Sequence, residues 1–168
     1  AKNLTDGDFV ECGVFQGDMS YFIWNYCDLK STGRKLFLYD SFEGLDSQQV
    51  MEDEYSDIGN EELERMGGDY VSFANRVYSK PGLLETVKQK FQGEQNVKIV
   101  PGFLPQTLSS AKPEKIGFLH LDLNSAKAEL DTVSNLYENL VSGATIILDD
   151  YDWSNFKKQK EVMDDFFA

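Results

Sequence analysis

Four short apolar runs punctuate the chain: residues 8–12 (DFVEC), 35–40 (KLFLYD), 116–122 (IGFLHLD) and 144–150 (ATIILDD). Each is too short for a typical helix and lacks the alternation of a strand with one wet face, which predicts strands covered on both sides, as in a parallel sheet. A fifth run, residues 97–100 (VKIV), stops at Pro101-Gly102. Helical spacing fills the intervals. Met19, Phe22, Ile23 and Tyr26 recur at threes and fours, as do Leu84, Val87 and Phe91. Ala126, Leu130, Val133, Tyr137 and Leu140 advance along one helix face, and Ser142-Gly143 is expected to end that helix, since glycine suits the left-handed residue past a C-terminus. Strand and helix alternating with crossovers of this length predict one α/β domain over residues 1–168, a doubly wound, mainly parallel sheet.

The residue types that end the strands bring in the chemistry. Glu11 ends the first, Asp40 the second, Asp122 the run at 116–122 and Asp149-Asp150 the last. Ligands of open α/β sheets bind beyond the carboxyl ends of the strands. Carboxylates gathered there raise one another's pKa or call for a cation, so the pattern points to a metal or a positively charged ligand.

The turn after the first strand reads Glu11-Cys-Gly13-Val-Phe15-Gln-Gly17-Asp-Met-Ser20. The dinucleotide fingerprint GxGxxG needs a second glycine where Phe15 stands, and the alternative register puts Cys12 and Val14 at glycine positions, which disfavours NAD and FAD. A phosphate-binding GxxxxGK[ST] loop is absent. ExGxxxG suits a cofactor without a pyrophosphate, S-adenosylmethionine, and Asp40 at the end of the next strand is placed to accept hydrogen bonds from ribose hydroxyls.

Composition narrows the partners. Of 168 residues 41% are hydrophobic, which excludes a disordered chain. The formal net charge of −13 disfavours nucleic acid and anionic membranes as partners. No run approaches a membrane span and no signal-peptide pattern opens the chain. Two cysteines, Cys12 and Cys27, make no disulfide framework and are expected to be buried small residues, so a cytoplasmic setting is the default. Residues 46–69 carry nine acids against Arg65 alone. This stretch opens an insertion at about 46–80 that reads either as a solvated face or as a lid, with Val71, Phe73, Val77 and Tyr78 to dock it.

The strings GDFVECGVFQGDMS, LYDSFEGL, IVPGFLPQTL, FLHLDLN and SGATIILDDYDW, in order over residues 7–153, resemble the macrocin O-methyltransferase family. These are class I, S-adenosylmethionine-dependent enzymes acting on sugar hydroxyls of macrolide and related antibiotics; residues 46–96 match least. The resemblance implies a Rossmann-like sheet of order 3-2-1-4-5. It implies that Glu11, Gly13 and Gly17 line the methionine and ribose side of the cofactor and that Ser20 reaches the methionine carboxylate. Asp40 would bind the ribose, Ser41 and Phe42 would lie beside the adenosine, and Gly102 and Phe103 near the adenine. It further implies Mg²⁺ on Asp122, Asp149 and Asp150, with vicinal hydroxyls of a small-molecule acceptor completing the shell and Asp122 taking the hydroxyl proton.

Departures from the family accompany these matches. The family's DxD followed by Tyr is here Asp122-Leu-Asn124-Ser125-Ala126, which removes a charge and a ring from the acceptor side. His120, the only histidine, shares a strand face with Asp122 and reads either as a second catalytic base or as a core histidine. Tyr151 and Trp153 read as a pocket wall or as core. The chain ends in an amphipathic tail where the family's sheet continues with two more strands. The last strand is then an edge, expected because the chain is a fragment, or covered by a partner such as a second copy. The expected function is a Mg²⁺-dependent O-methyltransferase on a hydroxylated small molecule, a sugar by the resemblance. The alternatives are a metal-independent methyltransferase and a non-catalytic S-adenosylmethionine-binding or assembly domain.

Overall fold

The computed structural model describes residues 5–168. Five strands, β1 (Asp8–Cys12), β2 (Leu36–Asp40), β3 (Val97–Pro101), β4 (Ile116–Leu121) and β5 (Leu140–Leu148), form one all-parallel sheet in the order β3-β2-β1-β4-β5. The expected doubly wound architecture and strand order are both present. The helices are α1 (Asp18–Tyr26), α2 (Leu29–Thr32), α3 (Asn60–Arg65), α4 (Tyr70–Tyr78), α5 (Leu83–Lys90), α6 (Ala126–Leu136) and α7 (Lys157–Phe167). Among the described residues no helix is long and apolar enough to cross a membrane.

The apolar strand runs follow from having two covered faces. On β2, Leu36 and Leu38 join a core with Ile23, Trp24, Leu29, Val87 and Phe91, from α1, α2 and the α5 region. Phe37 and Tyr39, pointing the other way, join a second core with Val133, Leu136 and Met163 from α6 and α7. β1 obeys the same alternation: Phe9 enters the first core and Val10 and Cys12 the second. Cys12 is fully buried and Cys27 partly so, both as free thiols.

Three local expectations are corrected. On α1 the buried residues are Ser20, Ile23 and Trp24, whereas Met19, Phe22 and Tyr26 are 52%, 58% and 77% exposed. The helix is rotated away from its most apolar stripe because the Ser20 hydroxyl donates to the buried Glu11 carboxylate. The helix after β4 stops at Leu136; a single 3₁₀ turn, Tyr137–Asn139, follows and β5 begins at Leu140. Leu140 is apolar whether it ends a helix face or opens a strand, so the spacing could not separate the two. Gly143, at φ 80°, lies inside β5, where the register against β4 shifts between the pairs Ile116–Leu140 and Phe118–Thr145, as glycine often does at an irregularity.

The acidic insertion is folded onto the body. Ile58, Tyr70 and Ala74 bury against Phe156, with Phe73 and Tyr78 partly buried beside them, forming a third small core. Val71 and Val77 are half-buried. Not all of the acids face water: Glu54 is 3% exposed, and its carboxylate accepts from the Ala126 amide at the start of α6, where Ser125 also caps Ala128 N at 3.3 Å.

Where β1 meets β4 the chain leaves no room for a side chain. Gly13 has φ 89°, and a Cβ built on it would lie 1.8 Å from the Asp122 carbonyl oxygen. Gly13→Ala is therefore expected to lower stability by about 3 kcal/mol or more, since strain and backbone displacement add. A urea titration would show an earlier midpoint at unchanged slope; an unmoved midpoint would mean that the strand ends separate freely.

Candidate functional site

The carboxyl ends of β1, β2, β3 and β4 surround a cavity of about 380 Å³, within the usual range of small-molecule sites. It lies where the strand order reverses between β1 and β4, the place that the connectivity of an open sheet leaves uncovered. Gly13, Asp40, Ser41, Gly102, Phe103 and Asp122 all line it. Its floor is tied together by backbone: Gly13 N donates to Tyr39 O (2.9 Å), Asp122 N to Cys12 O (2.8 Å) and Gly102 N to Asp40 O (2.9 Å).

The Asp40 carboxylate is the organiser of this wall. Its Oδ2 accepts from Val14 N (2.7 Å) and Phe15 N (2.8 Å), and its Oδ1 from Phe42 N (2.6 Å). Two of these amides pin the β1–α1 turn to the β2 end, and all three together leave little of the carboxylate's acceptor capacity for a ligand. Other residues expected at the cofactor are arranged differently. Glu11 and Ser20 are buried and bonded to each other, outside the cavity lining. Gly17 is the left-handed residue before α1, packed against Val87, and Phe42 packs partly into the α1 core. The sequence reading missed Val14, Phe15, Gln49, Tyr78 and Ala128, which also line the cavity. Tyr78 comes from the insertion and meets Phe15 edge-on, ring centroids 5.5 Å apart. No spacing signal ties that distant segment to the β1 turn.

Beside the cavity, one donor atom each from His120, Asp122 and Asp149 lie within 4.8 Å of one another. Asp150, expected with them, falls outside this group but is buried nearby. His120 is 5% exposed; its Nδ1 lies 3.1 Å from Glu11 Oε1 and its Nε2 lies 3.7 Å from Asp149 Oδ1. Glu11 and His120 are register partners on β1 and β4, which is why they meet. Asn124, at φ 54°, donates through Nδ2 to Asp122 Oδ1 (2.9 Å). It is held in turn by Tyr70, which donates to its Oδ1 (3.0 Å), and by Tyr55, which donates to its carbonyl (2.8 Å). The insertion therefore grips the segment that follows β4.

The electrostatics record crowding of like charge. Burial, and then Asp149 and Asp150, push the Asp122 carboxyl up to about 7, against the opposing pull of His120. Burial and Asp149 push Asp150 up to about 6. Burial by itself would lower His120, but the Glu11 hydrogen bond and charge, with Asp122 and Asp149, outweigh it and the imidazole pKa rises. A cation would relieve the same repulsion, so the donor set fits a divalent metal. Beneath the group, Glu129 accepts from Leu123 N (3.1 Å) and Gln159 Nε2 (2.8 Å), yet burial drives its carboxyl up to about 8.

An open parallel sheet with a cavity at its reversal point, flanked by a His/Asp group, defines a Rossmann-like α/β ligand-binding domain. The chain belongs to the macrocin O-methyltransferase family: the family described as Macrocin-O-methyltransferase (TylF) matches residues 1–168. It is 29% identical over 150 residues to 8-demethyl-8-(2,3-dimethoxy-alpha-L-rhamnosyl)-tetracenomycin-C 4'-O-methyltransferase of Streptomyces olivaceus, covering 86% of this chain and 53% of that protein. It is 26% identical over 152 residues to mycinamicin III 3''-O-methyltransferase of Micromonospora griseorubida (86% and 55%). To demethyldecarbamoylnovobiocin O-methyltransferase of Streptomyces niveus it is 28% identical over 157 residues (89% and 54%). The chain thus spans about half the length of these relatives. Among solved structures, the O-methyltransferase NovP superposes with a TM-score of 0.70 at 26% identity, over 98% of this chain and 64% of that one. The calicheamicin methyltransferase CalS11 shares the fold, with a TM-score of 0.63 at 18% identity over 96% of this chain and 64% of that one.

Glu129 supplies a pH test of the buried charge. Its folded pKa of about 8 lies above its ordinary 4.5, so the folded state keeps a proton that the unfolded state releases. The contribution to stability is complete below the ordinary value and is lost as pH rises toward 8. Glu129→Gln should raise the thermal midpoint at about pH 8 by several degrees and much less at about pH 5.5. Melting curves by circular dichroism check this; an equal gain at both pH values would assign the effect to packing.

Proposed function

We propose that the protein is an S-adenosylmethionine-dependent O-methyltransferase acting on a hydroxyl of a sugar-bearing small molecule, assisted by a divalent cation. The observation that carries the reading is the position of Asp122, whose side chain belongs both to the cavity lining and to the His/Asp group. Family membership supports the reaction class, and the rhamnosyl-tetracenomycin enzyme's name supports a glycosylated acceptor.

S-Adenosylmethionine would supply a methyl group on a sulfonium centre. Asp122 and Asp149 would hold a cation, with Asp150 adding negative charge, and that cation would supply Lewis acidity toward a hydroxyl oxygen. The protein's own groups do the rest. Gly13, without a side chain, lets a ligand approach the β1 backbone, and Asp40 holds the β1–α1 turn in the shape that forms the cavity wall. Gly102 and Phe103 close the side opposite the acids. The Asp122 carboxylate, at the cavity edge, accepts the acceptor hydroxyl's proton. Asn124 fixes one Asp122 oxygen by its 2.9 Å hydrogen bond, which orients the carboxylate.

Isothermal titration with S-adenosylhomocysteine, followed by transfer of labelled methyl to glycosylated acceptors, tests this reading. Asp122→Asn should bind S-adenosylhomocysteine within about threefold of wild type while methyl transfer falls at least about 100-fold, the usual scale for loss of a general base. A folded protein that does not bind S-adenosylhomocysteine overturns the methyltransferase reading. Binding without transfer to any acceptor favours the non-catalytic alternative.

A further inference from the structure

We propose that the cation site is a mixed nitrogen–oxygen site in which His120 Nε2 is a ligand beside Asp122 and Asp149. This inference rests on the cation assigned to the methyltransferase reading and gives that cation a nitrogen ligand.

Three features of the geometry converge. The His120 ring is buried, and its Nδ1 faces Glu11 Oε1 at 3.1 Å. A carboxylate oxygen can only accept, so Nδ1 carries the proton and the lone pair of neutral His120 is at Nε2. The Glu11 carboxylate is itself fixed, because Ser20 Oγ donates to its other oxygen. A carboxylate bonded to one ring nitrogen while the other nitrogen binds metal is the common way that proteins orient a histidine ligand. Nε2 then faces Asp149 Oδ1 at 3.7 Å, too far for a hydrogen bond. Two ligands each about 2.1 Å from one ion can stand no more than about 4.2 Å apart, so this spacing is within the span that a shared ion can bridge. The third donor, from Asp122, lies within 4.8 Å of both.

Oxygen-only ligands suit Mg²⁺, whereas an imidazole nitrogen among carboxylates is also compatible with first-row transition ions. Mn²⁺ serves as the probe because it accepts both donor types and its unpaired electrons report a bound nitrogen. Glu11 and Ser20 acquire a role that the cavity lining denied them: they are positioning residues for His120.

The test uses the whole chain, saturated with S-adenosylhomocysteine, titrated with Mn²⁺ and separately with Mg²⁺ by calorimetry, and examined with bound Mn²⁺ by pulsed electron paramagnetic resonance. The expected result is binding of Mn²⁺ together with a ¹⁴N coupling from a bound imidazole. His120→Asn should abolish the coupling and weaken Mn²⁺ binding at least about tenfold. Glu11→Gln should keep the coupling but weaken Mn²⁺ binding about tenfold, as loss of a carboxylate behind a histidine ligand does. Mn²⁺ bound to wild type without ¹⁴N coupling overturns the inference, and so does a coupling that persists in His120→Asn. If His120→Asn does not fold, the wild-type spectrum and Glu11→Gln decide. Binding of S-adenosylhomocysteine with no binding of either metal overturns both this inference and the cation, leaving the metal-independent methyltransferase; no binding of S-adenosylhomocysteine overturns the methyltransferase reading itself.

Discussion

Negative charge held close together at the strand ends is the constraint around which this molecule is built. Glu11, Glu129 and Asp150 are buried, Asp122 is half-buried, and Asp149 stands at the same edge. Carboxylates in such company can be protonated, paired or bound to a cation, and the chain uses the first two openly. Asp122 and Glu129 are shifted toward protonation, while Glu11 is satisfied by a hydroxyl and an imidazole. What pairing leaves over faces the cavity. Gathering acids so tightly costs folding stability, because each charge raises the energy of its neighbours' ionised forms.

Two different devices keep that edge in shape. Gly13 lets β1 and β4 close together over the Asp122 carbonyl, and Asp40 uses its charge to bind three backbone amides of the neighbouring turns. Asp40 therefore works first as a structural clamp; any contact with a ligand ribose shares a carboxylate already engaged. The insertion adds a third restraint. Tyr55 and Tyr70 hold Asn124, Glu54 caps α6 at Ala126, and Tyr78 supplies a cavity wall. An acidic stretch that looks like solvated surface thus contributes a buried carboxylate and one ring of the cavity wall.

Much of the fold was legible because its strands are covered on both faces: runs such as LFLYD and IGFLHL admit few other readings, and their terminal acids mark the site edge. Asp40 and Asp122 were placed at the cavity by strand-end position and Gly13 by the glycine turn after β1, whereas Ser41, Gly102 and Phe103 came from the family resemblance. Errors arose where an apolar residue could serve two purposes. Met19, Phe22 and Tyr26 have core-like spacing yet face outward, since the Ser20–Glu11 hydrogen bond sets the rotation of α1. Leu140 continues a helical period and opens a strand.

The sequence by itself determined the parallel sheet and the gathering of acids at one edge, because these depend on local period and on which residue ends each strand; the strand order came from the family resemblance. Only the tertiary structure decided how those acids share their load. Whether Glu11 faces a ligand or a histidine depends on the register of β1 against β4, and whether Asp149 or Asp150 joins His120 and Asp122 depends on the turn after β5. Register and turn geometry arise from packing between segments more than 100 residues apart, with His120–Glu11 separated by 109. No local pattern carries that information.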